Sequence, residues 1–284
     1  METAGNRIAL VGASGWVGRN LGPALLRAGV CGADDLLCVN RTGACAEYAA
    51  WPGVRWTTDV AMAVEASGTV ILSVRPDQFR AGIFRAHDRL VISLLAGASS
   101  REIEDRTGSG RVVLAIPNAA VELSRAYTPW YGGSTLTDAD AQLVNRILTC
   151  VGGTDRVASE DDLYTLTALS GAGHAYAAML AAALHEAAVG MGLDPRIAAQ
   201  AVEAVVCDAA PLLQGRGGTA DQIVDVFVSY AGTTAAAIAA ARAAGFDEAV
   251  RRALVAGRDA ASRAGRATGP LEAPHRDEGA ETPV

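Results

Sequence analysis

The stretch "RIALVGASGWVGRNLGPALLRAG", residues 7–29, restricts this chain more than any other part of it. An apolar run (7–11) passes through a turn containing Gly12, Gly15 and Gly18 into a segment that reads as a helix through about Ala28. Strand, glycine turn and helix, in that order, are the setting in which glycines let the backbone approach a pyrophosphate at a helix N-terminus. The spacing is G-x-x-G-x-x-G rather than the commoner G-x-G-x-x-G, so the context carries the reading more than the motif does. Ser14, Trp16 and Val17 fill the turn and join the three glycines as cofactor-binding candidates. The competing reading is a tight turn with no ligand.

The apolar runs recur. "DLLCVN" (35–40), "GTVILSVRP" (68–76), "DRLVISLLAG" (88–97) and "GRVVLAIPN" (110–118) follow at intervals that leave room for crossover helices. Continuous runs of this kind suit strands buried on both faces of a parallel sheet. The expected fold class is therefore α/β, a doubly wound sheet of Rossmann type. After about residue 157 strand signals vanish, and 160–264 is nearly all helix former, broken at "GMGLDP" (190–195), "QGRGGTA" (214–220) and "SYAGTT" (229–234). Asp194 and Thr219 are expected N-caps, and Thr233 or a neighbour opens the helix that ends at Gly245. The expected domains are thus 1–157 for dinucleotide binding, 158–264 all-helical, and a disordered tail over 265–284, where His275 has no role.

Composition removes several classes of function. All 24 basic residues are arginine, so Schiff-base chemistry, a phosphate-cradling lysine and a lysine general acid are excluded. The Tyr-x-x-x-Lys pair of short-chain dehydrogenases fails for the same reason. The five cysteines form no C-x-x-C pair and are odd in number, which argues against zinc and a disulfide framework. A net charge of -7 argues against a nucleic-acid partner. No run offers the roughly 20 uninterrupted apolar residues that a membrane span needs. With no basic leader before the first strand, a cytoplasmic location is expected.

At the end of the second strand, where an acidic residue would hold the ribose of NAD(H), the chain has Asn40, Arg41 and Thr42. Guanidinium and hydroxyl groups suit a 2′-phosphate, so NADPH is expected over NADH. The bland reading of Arg41 is a solvated surface residue.

The chain resembles the pyrroline-5-carboxylate reductases, which reduce a cyclic imine with NAD(P)H. The likeness rests on "GASGWVG", "SVRP" (73–76), "ISLLAG" (92–97), "IPN" (116–118), "ALSGAGHAY" (168–176) and "SYAGTT", and runs from about residue 7 to 264. It implies that Val74, Arg75, Pro76, Ala96, Gly97, Pro117 and Asn118 line the nicotinamide side of the cofactor site. It also implies a helical domain that pairs two copies of the chain, with the active site between the cofactor domain and the helices of both, and leaves assembly beyond a homodimer open. "SYAGTT" would be the substrate loop: Ser229, Tyr230, Ala231, Gly232 and Thr233 bind, and Thr234 faces the imine nitrogen. Ser170 joins the substrate contacts, and His174 and Tyr176 join Thr234 as catalytic candidates. Helix capping is the bland reading of Thr233 and Thr234, and that of His174 is a cap or a satisfied core group.

Departures from the family pattern cluster in the substrate segments. Where the family reads S-G-S-G-P-A-Y this chain has Ser170 to Tyr176 as "SGAGHAY", and where it reads S-P-G-G-T-T, Tyr230 and Ala231 replace proline and glycine. M-P-N-T-P becomes Ile116 to Ala120, G-E-H-P becomes "GRGGTA", and the opening turn is one residue longer. The expectation is an NADPH-dependent reductase of a cyclic imine related to pyrroline-5-carboxylate, with a modified imine of a specialised pathway as its substrate. The alternatives are the proline-making enzyme itself and a weakly catalytic NADP-binding partner.

Overall fold

The computed structural model describes residues 7–213 and 219–266. The expectations for the leader, for "QGRGG" and for the tail beyond Arg266, with His275, concern residues outside these. The chain forms two compact units, Met1–Thr167 with Asp259–Val284, and Ala168–Arg258.

The first unit is built on β1 (Ile8–Val11), β2 (Leu36–Val39), β3 (Arg55–Thr57), β4 (Thr69–Leu72), β5 (Leu90–Ser93), β6 (Val112–Ala115) and β8 (Trp130–Gly132), ordered β3-β2-β1-β4-β5-β6-β8. All pair in parallel except β8, which closes the edge antiparallel to β6. A separate ribbon pairs β7 (Ala126–Tyr127) with β9 (Gly152–Gly153).

Alternation along each strand feeds two cores. Ile8 and Leu10 face one, with Leu21 and Leu25 of α1 (Gly18–Arg27) and Val144 and Ile147 of α5 (Asp138–Leu148). Ala9 and Val11 face the other, with Val64 of α2 (Val60–Glu65), Phe79 of α3 (Pro76–Ala81), Ile103 of α4 (Ser100–Thr107) and Leu163 of α6 (Glu160–Leu166). Residues β1, β2, β4, β5 and β6 are buried at every position, which is why their sequences are continuous apolar runs. Each large side chain so buried contributes about 1.5–3 kcal/mol of transfer free energy.

Two ion pairs stitch this layer. The Arg80 guanidinium donates to both Glu102 carboxylate oxygens at 2.7 and 2.9 Å and to the Gly97 carbonyl at 3.0 Å. Arg111 at the start of β6 pairs with Asp140 of α5. Burial pushes the Asp140 carboxyl up, but hydrogen bonds from Arg111 and Thr137 outweigh it and hold the group below the usual range.

The units divide differently from the expected domains. Helix α6, expected with the helical half, sends Leu163 into the core of the sheet, and the boundary falls at Thr167. Helix α11 (Phe246–Arg266) returns its last turns to the first unit, where Gly265 lies so close to Tyr164 that a Cβ would meet its hydroxyl at 2.4 Å. Gly265 and Arg266, expected in the tail, are helical.

The second unit holds α7 (Gly173–Gly190), α8 (Pro195–Glu203), α9 (Ala220–Ser229), α10 (Thr233–Ala243) and the first part of α11. Asp194 accepts from the Arg196 and Ile197 N–H groups, and Thr219 forms a capping box with Gln222, both as expected. Among its described residues only Ala168 and Ala198 are buried, while Met179, Leu184, Leu212, Phe227 and Val250 are exposed. No helix among the described residues is long and apolar enough to cross a membrane.

The Arg80–Glu102 pair is testable because both side chains are nearly withdrawn from water, at 9% and 10% exposure. Glu102→Ala leaves the guanidinium buried without its partner and is expected to cost about 3 kcal/mol. Chemical denaturation measures it, and a cost below ~1 kcal/mol would show that Arg80 finds other partners.

Candidate functional site

The strand order reverses between β1 and β4, and a cleft of about 800 Å³ opens at the carboxyl ends of these strands. Its wall on one side is the turn after β1, contributing Gly12, Ser14, Gly15, Trp16 and Val17. Gly12 sits at φ +88°, and a Cβ there would lie 2.2 Å from the Ser73 carbonyl oxygen, so only glycine lets the turn run against the end of β4. Gly18 is needed for a different reason: a Cβ would lie 2.3 Å from the Gly12 carbonyl, so this residue packs the helix onto the turn and does not line the cleft. No side chain caps the start of α1. The N-terminal N–H groups of a helix carry its positive end.

Asn40, Arg41 and Thr42 also line the cleft. The Asn40 amide donates to the Gly43 carbonyl at 2.7 Å, while its Oδ1 is buried with no hydrogen-bond partner. Val74 and Arg75 also line the cleft. Its charged lining residues are Arg41 and Arg75, and no carboxylate is among them.

The remaining cofactor candidates stand elsewhere in the first unit. Pro76 is the first residue of α3. Ala96 and Gly97 lie in the turn between β5 and α4, with Gly97 held at φ +75° and its carbonyl bonded by Arg80. Asn118 caps a short 3-10 turn (Ala119–Leu123), its Oδ1 accepting from the Ala120 and Tyr127 N–H groups at 3.2 and 3.3 Å. Sequence reasoning missed Thr58, Val60, Gln78, Phe84 and Leu94 as lining residues, since nothing local marks them. Ser73 was inside the quoted "SVRP" block and could have been chosen.

The second unit carries the other candidates. His174 is the second residue of α7 and is exposed. The Tyr176 hydroxyl donates to the Ala168 carbonyl at 3.0 Å, and Ser170 lies in the π-helical turn Thr167–Gly171. At the start of α10 the N-cap is Gly232, with no side-chain bond, and Thr233 and Thr234 are the first helical residues. They are therefore not side-chain caps, and the first-turn N–H groups there lack intrahelical partners. Tyr230 is 75% exposed, and the Ser229 hydroxyl donates to Val226. Ala231 holds φ +50°, a left-handed backbone where the family pattern has glycine. His87 and His185 each place a ring nitrogen 3.2 Å from a backbone carbonyl, of Gly108 and Pro195.

Residues 160–264 match the family model described as pyrroline-5-carboxylate reductase dimerisation. The chain is 32% identical over 279 residues to the pyrroline-5-carboxylate reductase of Mycobacterium tuberculosis, covering 88% of this chain and 94% of that one. The structure of a pyrroline-5-carboxylate reductase from Coxiella burnetii superposes with a TM-score of 0.78 at 27% identity, covering 92% of this chain and 98% of that one. The pyrroline carboxylate reductase of Plasmodium falciparum with NADP bound shares the fold, with a TM-score of 0.76 at 19% identity over 93% of this chain and 99% of that one.

The left-handed alanine yields a prediction. A Cβ at this backbone costs about 1 kcal/mol or more, partly offset by the restriction alanine places on the unfolded chain. Ala231→Gly should therefore raise stability in urea by about 0.5 kcal/mol. A loss of stability would mean that the methyl makes a contact stronger than the strain.

Proposed function

The chain belongs to the pyrroline-5-carboxylate reductase family, and from that premise we propose that it reduces the C=N bond of a cyclic imine, with NADPH as donor. The observation that carries the cofactor reading is the cleft at the strand reversal, lined by two arginines and no carboxylate and holding an orphaned Asn40 Oδ1. These residues fit a dinucleotide with a 2′-phosphate. Arg41 and Thr42 would hold that phosphate, Asn40 Oδ1 would accept from a ribose hydroxyl, and the uncapped start of α1 would face the pyrophosphate. NADPH supplies the hydride when bound; the chain supplies orientation and a proton.

On the substrate side, the first-turn N–H groups of α10 are suited to a carboxylate. The Thr234 hydroxyl is assigned to the imine nitrogen. An unprotonated imine is a weak electrophile, so the nitrogen must be protonated before or during transfer. With no lysine in the chain, Thr234, His174, Tyr176, Tyr230 or water must manage that proton. Ser170, Ser229 and the Tyr230–Ala231–Gly232–Thr233 segment would shape the pocket.

The finer substrate proposal is a modified cyclic imine rather than pyrroline-5-carboxylate itself. Its support is the position of the departures: His174, Tyr230 and Ala231 add bulk and polar groups to the substrate segments, and Ala231 tolerates strain to do so. The apolar side chains exposed along α7 to α11 support a homodimer through the helical unit.

NADPH oxidation against pyrroline-5-carboxylate, pyrroline-2-carboxylate, piperideine carboxylates and unsubstituted cyclic imines tests the reading. Preference for a substrate other than pyrroline-5-carboxylate is expected, and preference for pyrroline-5-carboxylate would return the chain to proline synthesis. Thr234→Ala should lower kcat/KM about 100-fold on the preferred imine. Unchanged turnover in both Thr234→Ala and His174→Ala would sink the proton-delivery assignment.

A further inference from the structure

Between Asn40 and Tyr48 the chain leaves β2, lines the end of the cleft and returns through a short 3-10 turn (Ala46–Tyr48). Every residue from Arg41 to Glu47 is exposed or half-buried, and Tyr48, at 3% exposure, is the first to enter the core. Its hydroxyl donates to the Gly18 carbonyl at 2.8 Å and lies 3.4 Å from the Ala13 carbonyl. Those two carbonyls bracket the glycine turn. The ring has room because residue 22 is glycine: a Cβ there would lie 1.9 Å from the phenol oxygen.

The ring also meets Trp56 of β3 in an edge-to-face arrangement, with centroids 5.0 Å apart. Two residues beyond Trp56, Thr58 lines the cleft. One side chain outside the cleft thus touches the glycine turn and the strand leading to Thr58, while its own segment carries Arg41. Burial raises the phenol far above its usual range, so it remains a neutral donor, and the neighbouring Cys38 thiol is itself pushed up to about 12 by burial.

We propose that Tyr48 is a positioning residue of the cofactor site, fixing the segment that carries Asn40, Arg41 and Thr42 relative to the pyrophosphate turn. The proposal rests on the NADPH reading above. Its physical content is preorganisation: an exposed loop with one buried anchor presents Arg41 in one place, and the anchor's hydrogen bond sets where that place is relative to the turn. The consequence falls on cofactor binding, and most on the cofactor that reaches both elements.

Tyr48→Phe removes the hydroxyl and keeps the ring beside Gly22 and Trp56. Dissociation constants for NADPH and NADH are measured on the full chain by fluorescence, below the unfolding temperature of each protein, with KM and kcat taken on the preferred imine. NADPH binding should weaken about three- to tenfold, the range expected for one lost hydrogen bond. NADH, which lacks the 2′-phosphate, should weaken less, and the KM for NADPH should rise more than kcat falls. An unchanged NADPH constant, or equal weakening for both cofactors, would overturn the link between the two elements even if the unfolding temperature drops. Absence of NADPH binding by the unsubstituted chain would overturn this proposal and the cofactor reading together.

Discussion

At Gly12 the main chain runs directly against the carbonyl end of β4, with no space for a side-chain atom between them. That approach allows β1 to sit beside β4 while its chain turns back into α1, and it therefore sets where the sheet reverses its order. The cleft follows from this geometry, because crossovers on either side of the reversal leave in opposite directions and leave the strand ends uncovered. Gly18 completes the arrangement by letting the helix lie on the turn, and Gly22 leaves room for the tyrosine beneath.

Around that turn the basic residues divide into two kinds of work. Arg80 and Arg111 are structural: each forks onto a carboxylate and ties a helix to another part of the layer. Arg41 and Arg75 line the cleft, and Arg75 also pairs with Asp77 at 2.9 Å. A chain whose only cations are guanidinium groups gains forked, permanently charged partners but no side-chain amine that can give up a proton. In the proposed reaction, proton handling passes to hydroxyl and imidazole groups or to water.

The sheet was legible because parallel strands buried on both faces leave continuous apolar runs, and β1, β2, β4, β5 and β6 all do. Strand β3 has only three residues of mixed exposure, and β8 owes its place to Trp130, a single buried ring whose N–H is satisfied by Asn145 far along the chain. Neither leaves a periodic signal. The strand pattern ends near residue 157, but the packing of the sheet continues beyond it, since Leu163 on the next helix belongs to its core. At the cleft, Asn40 to Thr42 were readable from their place after a strand. Tyr48 was not, since its role depends on a gap left by a glycine 26 positions earlier.

The second unit hides almost none of its side chains by itself. The apolar faces of its helices must be covered by something else, and the free energy of that covering enters the stability of the unit directly. In the proposed homodimer, its unfolding midpoint is then a property of the solution as much as of the chain, shifting with protein concentration by mass action. For that dimer, dilution would act on this half of the molecule as a denaturant does, whereas the sheet-based half encloses two cores of its own.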